Sequence, residues 1–340
     1  MNSAEQIRHE CLAATKQCVF FDHSRYAILE VRGKDRISFL HHILAGDIQS
    51  LTPGHGLYTC LLNAQAKVLL DMYVLGFDEF LWLGLEFKWK EKALERLRAL
   101  IISEQVELLD RSDDLKLISI HGPKARELAE RFVGREKTPR GLYDHFPVVI
   151  DGINATLIRI HTTGEEDFGF VVTQEDRMPL KASLIKQGDP FRLEEIHKDA
   201  LEVIRIRAGI PRYGIDFDEN TLLPETGLDH AASQTKGCFP GQEILARLDS
   251  RGGLSKKLMG LELKGETIPK KNDLITKDGQ EVGFVTSATF SSVLKKTVAI
   301  GYLKKECWEI GSPVVVEAKN ARIPARVANL PFYTPTPKSA

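Results

Sequence analysis

Leu57-Tyr58-Thr59-Cys60-Leu61-Leu62, then Val68-Leu69-Leu70-Asp71-Met72-Tyr73-Val74-Leu75, then Phe80-Leu81-Trp82-Leu83-Gly84-Leu85 follow one another closely. Only Asn63-Ala64-Gln65 and Gly76-Phe77-Asp78 punctuate the links between them. Short apolar runs bounded by turn residues read as strands. Links this short make neighbouring strands antiparallel. The next stretch, Lys88–Ile102, changes period: Ala93, Leu94, Leu97, Leu100 and Ile101 form the apolar stripe of an amphipathic helix. Strands in succession followed by a helix indicate an α+β chain rather than strictly alternating βαβ units.

The same texture extends both ways. Upstream, a helix is predicted over 4–17, strands over Cys18–Phe21 and Tyr26–Val31, and a helix over Asp35–Leu44. Downstream come strands Val106–Leu109 and Leu115–Ile120, and His121-Gly122-Pro123 opens a helix over Lys124–Phe132. Strands Val148–Ile150, Ala155–His161 and Gly169–Val172 follow, then helices Pro179–Gln187 and Leu193–Arg207. Residues 1–253 therefore form an α+β body with largely antiparallel sheets. After Arg251-Gly252-Gly253 helical periodicity stops. Leu258–Leu263, Glu281–Ser287, Thr297–Tyr302, Pro313–Val316 and Ile323–Val327 predict a small closed or sandwiched β domain over 254–330. The Pro-rich end, 331–340, reads as a loose tail.

The chain has 340 residues, 43% hydrophobic and 27% charged, which is globular composition and excludes disordered or collagen-like classes. No apolar run reaches the ~18 residues of a membrane helix, so no membrane partner is expected. The net charge of −1 argues against a surface built wholly for nucleic acid. From Leu254 onward 12 Lys and 2 Arg face 8 acidic residues. A solvated lysine surface is the simpler reading of that excess, and direct nucleic-acid binding is not expected. The five cysteines are widely spaced with no CxxC, and no HExxH occurs, so no metal site is read. With no signal-peptide pattern at the start, a cytoplasmic setting is expected. GxGxxG and GxxxxGK[ST] are both missing, which removes the dinucleotide and P-loop classes.

Chemistry-bearing residues gather between Arg205 and Arg251. Ala208–Asp216, Leu223–Asp229 and Lys236-Gly237-Cys238-Phe239-Pro240-Gly241-Gln242-Glu243 are dense in glycine and proline. They are therefore loops on a rigid body, where function concentrates. Cys238 lies two residues from Lys236 and just ahead of a helix expected to start at Pro240. An ammonium and a helix N-terminus both favour a thiolate. A structural cysteine under a glycine turn fits the residues equally well. Cys60 is expected to be buried and inert, and Cys11 and Cys18, flanking the first helix, to be reachable. Glu243 and Arg247 suit a surface ion pair, and Arg251 stays open. Asp71 closes the apolar run Val68-Leu69-Leu70. It is either an exposed strand end, the simpler reading, or a carboxylate holding a pterin or a cationic amine.

The string K-G-C-F-P-G-Q-E at 236–243, followed by Arg247, resembles the signature of the YgfZ-type folate-binding proteins. These are relatives of the glycine-cleavage aminomethyltransferase that serve iron–sulfur protein maturation and tRNA modification. Val31–Arg36 with Phe39-Leu40, Leu61–Asp71, Ala208–Asp216, Leu223–Asp229, Gly283–Ser287 and Ala299–Tyr302 resemble further segments of that superfamily in the same order. The resemblance implies two ferredoxin-like α+β units and a C-terminal β-barrel around a folate-sized hole. It implies tetrahydrofolate or a derivative as cofactor, and iron–sulfur client proteins or assembly factors as partners. By the same resemblance Cys238 and Lys236 are the working pair. Asp71, Asn63, Tyr213, Glu225, Arg207 and Arg247 are placed about the folate, with Asp71, Tyr213 and Glu225 lining one cavity. One departure stands out. Arg205-Ile206-Arg207-Ala208-Gly209 puts a cation where the transferase has a pterin-contacting glutamate, and a cation cannot accept N–H donors. Ala66 also replaces a turn glycine. An accessory protein for iron–sulfur maturation is therefore the leading expectation, with little glycine-cleavage activity. A tetrahydrofolate-dependent aminomethyltransferase or demethylase is the alternative.

Overall fold

The computed structural model describes residues 3–23, 26–250, 253–319 and 321–333. Arg251 and Gly252, at the expected module boundary, and 334–340 of the expected tail lie outside them.

A five-stranded sheet holds, in spatial order, Gly56–Leu62, Val68–Gly76, Leu81–Glu86, Tyr26–Arg32 and Glu107–Asp110, all antiparallel. A six-stranded sheet holds Glu194–Glu195, Val19–His23, Leu115–His121, Asp167–Thr173, Ile153–Ile160 and His145–Ile150. Only its first pair is parallel. The chain leaves the six-stranded sheet after His23 and returns to it at Leu115, so the two units are interleaved.

Helices Arg36–Ile43 and Lys90–Leu100 cover one face of the five-stranded sheet through Phe39, Leu40, Ala93, Leu94 and Leu97. Helices Ala125–Val133 and Arg177–Gly188 cover one face of the other sheet. The two remaining faces meet, with Ile28, Leu75 and Trp82 against Leu117, Ile158 and Val171. Alternation along a strand then decides the site. In Val68–Gly76, Leu70, Met72 and Val74 enter the helix-covered core, which turns Asp71 and Tyr73 toward the space between the sheets.

The C-terminal module is a closed barrel of Lys256–Leu263, Lys296–Lys304, Gln280–Ser291, Leu274–Lys277, Pro313–Ala318 and Ala321–Ala328. A bulge at Val285/Ser287 breaks the pairing register there. A bulge turns consecutive side chains to one side, and both Thr286 and Ser287 hydroxyls donate to Asp216 of the body, at 2.6 Å each. Asp216 also accepts from the Arg205 guanidinium and from the Arg212 backbone N–H. This buried cluster ties barrel to body.

Two segments differ from expectation. The helix predicted over Leu193–Arg207 splits. Glu194–Glu195 forms an edge strand beside Val19–Phe20, and the helix proper is Lys198–Arg207. The open sheet edge overrides local propensity there. Strand Leu274–Lys277 was not predicted, being too short to show a period.

Candidate functional site

Between the sheets and the barrel lies a channel of two adjoining chambers, about 1020 Å³ and about 390 Å³. Tyr58, Asp71, Tyr73, His161, Ile210 and Pro211 line both, so they mark the neck. The barrel contributes Leu258, Met259 and Trp308 to the larger chamber. Both volumes lie in or near the range that small-molecule sites occupy, roughly 300–1,000 Å³.

Asp71 is thus a wall residue of the neck, within its strand, and not the exposed strand end that the residues alone suggested. Tyr58 Oη donates to its Oδ2 at 2.8 Å. Burial among protein atoms pushes the carboxyl up to about 6, against the Tyr58 hydrogen bond, which holds it down. Near pH 7 it is still largely ionised, the one acid among the six neck residues, in an aromatic surround. Ring centroids lie at 5.5 Å for Tyr58–Tyr73, 4.9 Å for Tyr73–Tyr143 and 5.7 Å for Tyr58–His230. Such a site can hold a flat ring against tyrosine faces and an amine against the carboxylate.

The other expected residues are distributed unevenly. Tyr213 lines the smaller chamber, its hydroxyl donating to Leu69 O at 2.5 Å and accepting from Lys92. Glu225 lines neither chamber, which corrects the expectation of one shared cavity. Its carboxylate turns back to accept from the Leu222 backbone N–H at 3.2 Å, with Lys256 3.9 Å away. Asn63 shapes the turn between the first two strands, its Oδ1 accepting from Gln65 and Lys67 N–H. Arg207 is also absent from both linings. It is 1% exposed and sits under the ring of Tyr333, 4.9 Å from the centroid, and Tyr333 faces the larger chamber. The expected conflict between this cation and a pterin therefore does not arise at the chamber surface. Arg247 pairs with Glu243 at 2.5 Å on an exposed helix face.

The 236–243 string works mostly as an anchor. The Lys236 ammonium, expected to serve as the charge partner of Cys238, donates to the carbonyls of His41, Leu44 and Gly46 at 2.5, 2.5 and 2.9 Å. That satisfies the C-terminal end of helix Arg36–Ile43, and burial lowers the lysine to about 8. Phe239 enters the core. Gly241 has φ +84°, and a Cβ there would stand 2.7 Å from Ala66 Cα and Asn63 O. Gly241→Val should therefore cost about 2 kcal/mol or more in urea unfolding; a change under 0.5 kcal/mol would show that the turn yields freely. The helix begins at Gln242, two residues later than expected.

What this anchoring leaves outside is Cys238. Among the five cysteines it alone is exposed; Cys11, Cys18, Cys60 and Cys307 are buried. Cys11 and Cys18 are thus not reachable, and burial raises both thiols, Cys11 to about 12. In a native alkylation time course followed site by site, Cys238 should label at least tenfold faster than the other four. Equal labelling of Cys11 would contradict this arrangement. Cys238 lines neither chamber.

Sequence reading missed Tyr58, Tyr73, Tyr143 and His161. Tyr58 and Tyr73 were legible in principle: they sit on adjacent strands at the same alternation as Asp71. Tyr143 comes from an irregular segment with no periodic signal, and His161, expected as the last residue of a strand, stands just past the end of Ile153–Ile160.

Interleaved α+β units, a closed barrel and a carboxylate in the channel between them define an α+β–barrel protein with chambers of small-molecule size. Within that class, the chain belongs to the glycine cleavage T-protein family. The GCVT N-terminal domain matches residues 2–236 and the glycine cleavage T-protein C-terminal barrel domain matches residues 256–334. The aminomethyltransferase of a Nostoc species is 31% identical over 337 residues, covering 96% of this chain and 88% of the relative. That of Caldanaerobacter subterraneus is 28% identical, covering 97% and 88%. The crystal structure of glycine cleavage system aminomethyltransferase T from Bartonella henselae shares the fold, with a TM-score of 0.85 at 23% identity over 97% of this chain and 90% of that one. The aminomethyltransferase family uses tetrahydrofolate. These relatives favour the transferase reading, which the sequence alone placed second. Among the described residues no helix is long and apolar enough to cross a membrane.

Proposed function

We propose that the channel binds a reduced folate and that the protein carries out one-carbon transfer of the aminomethyl type. Asp71 holds the amine, or the folate nitrogen, at which carbon is exchanged. The observation that carries this reading is the position of Asp71: a carboxylate at the neck shared by both chambers, hydrogen-bonded to Tyr58 and beside the tilted rings of Tyr58 and Tyr73. A folate entering one chamber and an amine-bearing donor entering the other would meet there. The volume, the aromatic walls and the Asp71 carboxylate where the chambers meet suit both partners. The test is methylene-tetrahydrofolate formation from an aminomethyl-bearing donor and tetrahydrofolate. Turnover by the wild type that Asp71→Asn loses supports the reading, and no turnover with any such donor sinks it.

A second reading rests on Cys238. The 236–243 string uses Lys236, Phe239 and Gly241 to fasten a loop whose one displayed reactive group is that thiol. This favours the YgfZ-type role in iron–sulfur protein maturation and linked tRNA modification, in a cytoplasmic setting, with iron–sulfur clients as partners. A deletion strain complemented by wild type, Cys238→Ala and Asp71→Asn separates the two. If only Cys238→Ala fails to restore iron–sulfur enzyme activities, the thiol is the working group. If only Asp71→Asn fails, the channel is.

A further inference from the structure

Behind the smaller chamber lies a hydrogen-bonded chain that the channel chemistry above does not use. His23, which lines that chamber, has its Nε2 2.7 Å from Ser119 Oγ. Ser119 Oγ lies 2.7 Å from His121 Nε2, and His121 Nδ1 lies 3.0 Å from Asp167 Oδ1. Ser119, His121 and Asp167 are fully buried. Asp167 also accepts from the Thr162 and Thr163 N–H groups at 2.8 and 2.7 Å and from the Thr163 hydroxyl. Those bonds, with the neighbouring imidazole, hold it ionised.

An ionised carboxylate only accepts, and that sets the sense of the whole chain. His121 presents Nδ1–H to Asp167, and in the neutral ring its Nε2 accepts the Ser119 hydroxyl proton across 2.7 Å, a shorter path than that hydroxyl's alternative acceptor, the Phe21 carbonyl at 3.4 Å. Ser119 Oγ in turn accepts from His23 Nε2–H. His23 Nδ1 is left with its lone pair, and no described residue donates to it. Burial and the nearby Arg212 keep His23 itself neutral, its value lowered to about 3, with Asp167 acting the other way. Asp22, next to it in the chain, is held by Arg177 at 2.6 Å; Phe21 and Tyr26 are its ring neighbours, at 4.6 and 6.2 Å.

We infer that His23, Ser119, His121 and Asp167 form a proton relay that makes His23 Nδ1 the proton acceptor of the smaller chamber. A proton taken up at His23 Nδ1 sends the Nε2 proton to Ser119 Oγ, while the Ser119 proton passes to His121 Nε2. His23 and Ser119 end neutral. The added charge rests as an imidazolium on His121, beside the Asp167 carboxylate. The same steps in reverse return the proton. The need arises from the proposed function, on which the turnover part of this inference rests. A folate nitrogen that bonds to carbon sheds a proton, and a departing amine takes one up. His121 and Asp167 are positioning residues here, acting through His23. A network serving only to join strands would leave turnover insensitive to its proton sense.

The test uses the full chain with ¹⁵N-labelled histidine. In ring-nitrogen spectra at pH 7.5, His23 should be the Nε2–H tautomer and His121 the Nδ1–H tautomer. Ser119→Ala should mix the His23 tautomers and separate the titration of the two rings. His23→Asn, at the chamber edge, is the second variant, and it should shift the His121 titration if Ser119→Ala does not fold. In one-carbon transfer, Ser119→Ala should lower kcat about tenfold and His23→Asn on the order of 10²-fold, with KM for folate held within about twofold. Nδ1–H on wild-type His23 overturns the relay. So do spectra unchanged by Ser119→Ala, or an unchanged kcat in a turning-over enzyme. If the wild type shows no transfer, the proposed function fails, and the tautomers alone still decide the relay.

Discussion

Asp71→Asn should abolish one-carbon transfer, with a loss on the order of 10²–10⁴-fold, and at the same time stabilise the fold above pH 6. The two effects have one origin. The folded protein holds this carboxyl at about 6, above its ordinary value, because burial opposes the charge. A raised acid binds its proton more tightly when folded, so its contribution to stability is lost as pH rises through the folded value. Asparagine removes that penalty. The stability difference between variant and wild type should grow from about pH 4 to 7 and then level off. Its ceiling is about 3 kcal/mol, since each pKa unit corresponds to 1.36 kcal/mol, and losing the Tyr58 bond reduces it. Thermal melts of both proteins at pH 4.5 and 8 measure this, and a difference independent of pH would contradict it. Wild-type transfer should rise with pH through about 6. Tyr58→Phe, by removing the hydrogen bond that lowers the carboxyl, should move that midpoint upward.

Asp216→Ala is expected to have the largest effect on stability, about 3–5 kcal/mol. It leaves the buried Arg205 guanidinium with Glu202 as its remaining carboxylate and takes the shared acceptor from the Thr286 and Ser287 hydroxyls. The damage falls on the joint between body and barrel. Urea unfolding should therefore split, with Trp308 in the barrel and Trp82 in the body reporting separated transitions where the wild type shows them closer. A loss below 1 kcal/mol, or coincident transitions at an unchanged midpoint, would show that the joint is held by apolar packing such as Ile206 against Val298 and Ile300.

Much of this architecture was legible in the chain because its signals are local. The three apolar runs from Leu57 to Leu85 and the stripe of Lys90–Leu100 each bury a face that alternation or helical period reveals. The end of helical periodicity at Gly253 likewise announced a separate β module, closed or sandwiched. What escaped reading depends on distant partners. Glu194–Glu195 becomes a strand only because Val19–Phe20 offers an edge. Asp71 resembled an exposed strand end because nothing near it in sequence shows that a second sheet and a barrel close over it. Lys236 looked like a thiol's neighbour, but its ammonium finds three carbonyls some 190 positions upstream. Arg207 and Glu225 lie in segments that do reach the channel, through Ala208, Gly209, Pro224 and Thr226, while their own side chains turn away. A segment's resemblance located the site, but side-chain direction within it was set by packing.

The central claim, a reduced folate held against Asp71 in the channel, is tested most directly by calorimetric titration of 5-formyltetrahydrofolate into the wild type and into Asp71→Asn at pH 7.5. Saturable binding at one site per chain, weakened at least tenfold by the substitution, is the predicted result. Absence of saturable binding to the wild type, or equal affinity in the two proteins, would contradict it.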